Sequence, residues 1–206
     1  MNPHLILLLI AMLYILVVGG LSAQRREGFS VQFAVEVVAV ASFLVVISLL
    51  AGQTIHPVFF LIIIYLITMR ARLIVDLGNL LARREYHQQA TNMYDLALKL
   101  KPDNTSHQLV VMNQAVHQLR QGQLAQAIST LENLLLDPQH PLSPKHEAAS
   151  RYNLAVGYRR QGNEAKAIIE FNKVIDVMPG SLYASGAQIA LEKGKQQKAP
   201  PDEPKG

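Results

Sequence analysis

The stretch LAVGYRRQGNEAKAIIEFNKVIDVMP, Leu154–Pro179, decides the fold. Leu154 and Ala155 are adjacent, and Tyr158, Gly162, Ala167, Phe171 and Pro179 follow at steps of three, four, five, four and eight. The step of three from Ala155 to Tyr158 and the step of four from Ala167 to Phe171 return residues to one face of a helix. Gly162 supplies the turn between two helices. Pro179 stops the second helix, because proline lacks an amide proton and clashes with the preceding turn. Ala155 and Ala167 are small where the two helices must cross. The stretch therefore predicts a helix–turn–helix unit.

Two earlier stretches repeat the pattern. The first has Leu77, Gly78 and Leu81 in helix A, then Ala90, Tyr94 and Ala97 in helix B, closed by Pro102. The second has Ala115, Gly122, Ala127, Leu131 and Leu134, with Pro138 one position early. In the third, Val174 joins the inner face. Together these copies resemble the tetratricopeptide repeat, a helical hairpin with a period of about 34 residues. The resemblance covers about half the chain and implies an all-α solenoid that holds other proteins. Repeats are expected at about 71–104, 108–141 and 148–181, in a domain spanning 70–195. A helix at 181–193 would cap the last apolar face, and 196–206 reads as a disordered tail.

The N-terminal third has another composition. From Asn2 to Met69 the charged side chains are Arg25, Arg26, Glu27 and Glu36. Met1-Asn2-Pro3-His4 lacks the basic start of a signal peptide, and Leu5–Leu21 is long for a signal core. Residues 1–69 read as a membrane region with spans at about 5–23, 31–51 and 54–69. Arg25 and Arg26 follow the first span, and Arg70 and Arg72 follow the third. Three spans put both pairs on one side, which predicts an outside N-terminus and cytoplasmic repeats. The expected setting is a bacterial inner membrane. Glu36 lies six residues into the second span. It is expected to reach the headgroups or to bond across to a neighbouring helix. Helix A of the first repeat starts at Ala71 with no linker, so the third span is expected to run unbroken into it. The first repeat also holds Glu85 where the others have a turn glycine. Ser143 and Pro144 read as the N-cap and first residue of the third helix A.

The resemblance implies that helix A lines a partner groove. Mapped position by position, the groove set is Arg72, Val75, Asn79 and Arg83; then Leu109, Met112, Val116 and Arg120; then Ala149, Tyr152, Val156 and Arg160. Such a groove suits an amphipathic helix or extended segment. Arg83, Arg120 and Arg160 share one repeat position, so stacking would align them along a basic edge for an acidic segment or lipid phosphates. The competing reading is that each arginine complements a helix C-terminus. The carboxylate clamp of some family members lacks its basic residues here. Its positions hold Val75, Asn79, Asn113, Ala149 and Asn153. Recognition of chaperone tails is therefore not expected.

The 206-residue chain has no cysteine, which excludes disulfides, cysteine–zinc sites and thiol catalysis. His140 and His146 have no third metal ligand close in sequence, and His87, His107 and His117 read as surface helix positions. No phosphate loop, serine elbow or catalytic carboxylate pair is present. The net charge of +4 is small and lacks interleaved aromatics, which argues against nucleic acid. No enzyme activity and no cofactor are expected. The expected role is a membrane-anchored scaffold or assembly factor with a protein partner. The alternative is a subunit of a secretion, envelope-biogenesis or transport machine working through its membrane helices.

Overall fold

The computed structural model describes residues 2–198, with side chains described to 194. Among these residues there are ten α-helices and no strand. They are α1 (Pro3–Gln24), α2 (Val31–Leu50), α3 (Pro57–Thr68), α4 (Arg70–Arg83), α5 (His87–Lys99), α6 (Asn104–Arg120), α7 (Leu124–Leu136), α8 (Pro144–Arg160), α9 (Glu164–Val177) and α10 (Leu182–Lys198). The chain forms two compact units, 1–114 and 115–206. Their division falls inside α6 and not at the end of the apolar third.

Helices α1 and α2 are each long and apolar enough to cross a membrane. Each starts at a side-chain cap. Asn2 accepts from the His4 amide at 3.0 Å, and Ser30 accepts from the Phe33 amide at 3.1 Å. Such caps satisfy amides that lack a partner in the first turn. Helix α3 has 12 residues, or about 18 Å at 1.5 Å per residue. It packs with α1 and α2 around one apolar core that includes Leu7, Ala11, Phe33, Val37, Phe60 and Ile64. Tyr14 of α1 and Thr68 of α3 bond through their hydroxyls at 3.1 Å. The outward faces are apolar too. Leu13, Leu16, Phe43, Leu49, Phe59 and Leu66 are all exposed. Helices that are apolar all round belong in a core or in lipid. Gly19 makes room for the Phe29 ring: a Cβ there would lie 2.6 Å from it.

The junction between α3 and α4 departs from the sequence expectation. No linker intervenes, but the helix is not unbroken: α3 and α4 meet at a bend of 70°. Met69 breaks the run with φ −97° and ψ 8°. The Arg70 side chain donates to the Ile67 carbonyl at 2.9 Å, satisfying an oxygen near the end of α3. No proline or glycine marks the break.

Beyond α3, α4 pairs with α5 and α8 with α9 as helical hairpins, and α10 packs on α8 and α9. Glu85, Gly122 and Gly162 make the turns after α4, α6 and α8, with φ of 64°, 78° and 86°. Helix pairs cross at small residues: Ala90, Ala115, Ala127, Ala155 and Ala167 are fully buried. In unit 1, Gly78 lets the Tyr94 ring lie where a Cβ would meet it at 2.9 Å. In unit 2, Leu119, Ile128, Leu131, Leu154, Tyr158, Phe171 and Val174 share one core, against which Tyr183 and Leu191 of α10 pack. Helix α6 begins at Asn104 and α8 at Pro144, each four residues before the expected repeat start. Ser143 caps α8 by accepting from the His146 amide at 3.4 Å. Helix α10 runs to Lys198, so it includes the first residues of the expected tail, and 199–206 lie outside the described residues. His117, expected on the surface, is buried. The reason is that α6 buries two faces, one with Ser106, Val110 and His117 and one with Gln108, Ala115 and Leu119.

Candidate functional site

In unit 1 the predicted groove residues divide sharply. Val75 is 1% exposed and belongs to the core with Ala71, Ala82, Ala90, Tyr94 and Val110. It offers no surface to a partner, because this part of α4 is pressed against α5. Asn79 is half-buried and accepts from the Tyr94 hydroxyl at 2.8 Å. Arg72 is half-buried and donates through Nε to Ser106 Oγ at 3.0 Å. Arg83 is exposed and makes no ion pair with a described residue. Leu109 and Met112 are half-buried.

In unit 2, Val116 and Val156 are half-buried and Arg120 is exposed. Ala149 is buried. Tyr152 packs its ring against Phe171 and Tyr183, with centroids 5.6 and 5.9 Å apart. Arg160 is exposed overall, yet its Nη1 donates to the Leu119 carbonyl near the end of α6. That contact puts a cation on a helix C-terminus, the electrostatic role considered from the sequence. Asn113 and Asn153 are turned inward as well. Each donates to the carbonyl four residues back, Leu109 at 2.7 Å and Ala149 at 2.8 Å. These asparagines are engaged by their own helices.

Sequence reasoning missed the most connected polar group in unit 1. Arg70 donates through Nη1 to one Glu36 oxygen at 2.5 Å and through Nη2 to the other at 2.9 Å. The same Nη2 donates to the Leu100 carbonyl at 3.1 Å. Gln32 donates to Glu36 at 3.0 Å and to the Lys101 carbonyl at 2.9 Å. Leu100 and Lys101 close α5, where carbonyls lack helical partners and carry the negative end of the dipole. One guanidinium therefore joins α2, α4 and the end of α5. Bidentate arginine–carboxylate pairing also fixes orientation. Of the two roles open to Glu36 in the sequence, bonding across to a neighbouring helix is the one observed.

A second polar cluster lines an outer cleft of about 280 Å³ in unit 2, among Glu132, Leu135, Leu136, Arg151, Tyr158 and Glu170. Its charges are paired with each other. Arg151 bridges Glu147 at 2.8 Å and Glu170 at 2.9 Å, and Lys173 meets Glu170 at 2.7 Å. The Tyr158 hydroxyl donates to Glu132. Burial, together with that carboxylate, pushes the Tyr158 phenol far above its ordinary range. These groups join α7, α8 and α9.

No family model matches the chain, and no curated protein matches it.

Proposed function

We propose that this chain is a membrane-anchored scaffold or assembly factor. Its helical hairpins act as a tetratricopeptide-type array that offers the helix A side to a protein segment. The array would lie on the cytoplasmic side of a bacterial inner membrane, with α3 as a third, short span. The observation that carries this reading is the Arg70 junction. A first hairpin tied by polar bonds to an apolar bundle keeps a fixed pose at the bilayer, which suits recruitment to a membrane complex. The exposed Arg83 and Arg120 are the recruitment cations in this reading, whereas Arg160 belongs to helix capping. The alternative is a subunit of a secretion, envelope-biogenesis or transport machine acting through its membrane helices; the pairing of Glu36 with Arg70 favours the scaffold reading over it.

The test is crosslinking and mass spectrometry on the gently solubilised protein. The double variant Arg83→Glu/Arg120→Glu runs alongside, because it spares the Arg160–Leu119 bond. The expected result is a partner crosslinked through an acidic or amphipathic segment and lost in the double variant. A partner retained by the variant would move the interface away from these arginines.

A further inference from the structure

Helix α4 carries a stripe of leucines that belongs to no core. Leu77 and Leu80 are 46% and 47% exposed, and Leu73 is half-buried without joining an apolar cluster. Ala71, Val75, Gly78 and Ala82, on another side of α4, supply its packing against α5. The equivalent positions on α8, by the repeat spacing, are Ser150, Leu154 and Gly157, and all three are buried. There the preceding helix α7 covers them: a Cβ on Gly157 would meet Ile128 at 3.0 Å. Helix α4 begins the array and has no preceding hairpin. An end hairpin with an apolar outer face needs a cover.

We infer that the lipid bilayer is that cover, and that α4 is an interfacial helix whose Leu73–Leu77–Leu80 side dips into the headgroup boundary. The inference rests on the reading of α1–α3 as membrane-embedded. Three observations favour lipid. Leu77 lies seven residues after Arg70, about two helical turns, so both are on one side of α4. Arg70 reaches from that side into the bundle at Glu36. The stripe side therefore faces the membrane end of unit 1. The 70° bend swings α4 away from the direction of α3, as required of a helix lying along the surface that α3 enters. Finally, the residues are large where α8 has serine and glycine. Close helix packing calls for small residues, whereas lipid accepts leucine. Arg84 sits at the end of the stripe and is exposed, in position to meet lipid phosphates. Asp76 and Arg83 lie on the flank of α4 beside the stripe, and the face opposite the stripe is the one packed on α5.

The absence of cysteine makes a direct test clean. Single variants Leu77→Cys, Asp76→Cys, Arg83→Cys and Val46→Cys of the full chain are labelled with a small fluorophore. They are reconstituted in vesicles of phosphatidylcholine and phosphatidylglycerol. Quenchers on shallow and deep acyl positions are compared with aqueous iodide. The expected result is severalfold stronger shallow-lipid quenching at Leu77 than at Asp76 or Arg83, with deep-lipid quenching at Val46. Iodide reaching Leu77 as readily as Asp76 while Val46 is quenched by lipid overturns the inference and leaves the membrane reading intact. Shielding of Leu77 from both quenchers means that protein, such as a second copy, covers the stripe, and overturns it equally. Failure of lipid quenching at Val46 sinks the membrane reading and the inference with it.

Discussion

At the scale of single residues, backbone conformation and charge pairing decide what the side chains do. Glu85 holds φ 64° at a turn where Gly122 and Gly162 hold φ 78° and 86°. A Cβ in that region costs about 1 kcal/mol, and glycine removes the cost while loosening the unfolded chain. Glu85→Gly is expected to stabilise the protein by about 0.5 kcal/mol net, raising the midpoint of thermal unfolding in detergent. A lowered midpoint would show that Glu85 makes contacts outweighing its strain. Glu36→Gln removes the charge facing Arg70 while keeping one hydrogen-bonding oxygen. It is expected to cost about 1–3 kcal/mol, typical of hydrogen bonds to charged groups. Arg70→Gln added to it should cost much less than the sum of the two single changes. Turn glycines and helix-stopping prolines were legible because their sterics are local. The Glu36–Arg70 pairing was legible only in part: a bond from Glu36 across to a neighbouring helix was among the expectations, but nothing local named Arg70, which stands 34 residues away. Val75 was assigned to the groove by register, and its burial follows from how closely α4 lies on α5.

At the scale of elements, the small residues at helix crossings matter most. A Cβ at Gly78 would lie 2.9 Å from Tyr94 Cε1 and 3.3 Å from Met93 Cβ. Tyr94 is buried and its hydroxyl is held by Asn79, so the ring cannot swing aside cheaply. Gly78→Val should therefore destabilise by about 1–3 kcal/mol as overpacking, despite removing a helix glycine. Thermal unfolding of the variant beside Gly20→Ala, where a Cβ meets nothing within 4 Å, separates packing from propensity. Equal effects at the two sites would contradict the close crossing of α4 and α5. Helix existence and pairing were legible here from apolar periodicity and small residues. The α3–α4 bend was not. Met69 is an ordinary helix residue, and the break depends on Arg70 satisfying the Ile67 carbonyl while reaching Glu36.

At the scale of the whole molecule, the central claim is that unit 1 joins an apolar bundle and the first hairpin into one body. Its boundary falls in α6, beyond the first hairpin, and the Arg70 and Gln32 bonds explain why the two parts hold together. Composition revealed two regions in the sequence but could not reveal that they share a polar joint, since the joining carbonyls of Leu100 and Lys101 belong to the backbone. The most direct measurement is a spin–spin distance distribution between labels at Val46→Cys in α2 and Gln89→Cys in α5, in lipid nanodiscs. A single narrow distance is predicted for the otherwise native chain, broadening when Glu36→Gln and Arg70→Gln are added. A broad distribution in the native background, or one unchanged by the two substitutions, would contradict the claim that these side chains hold the hairpin on the bundle.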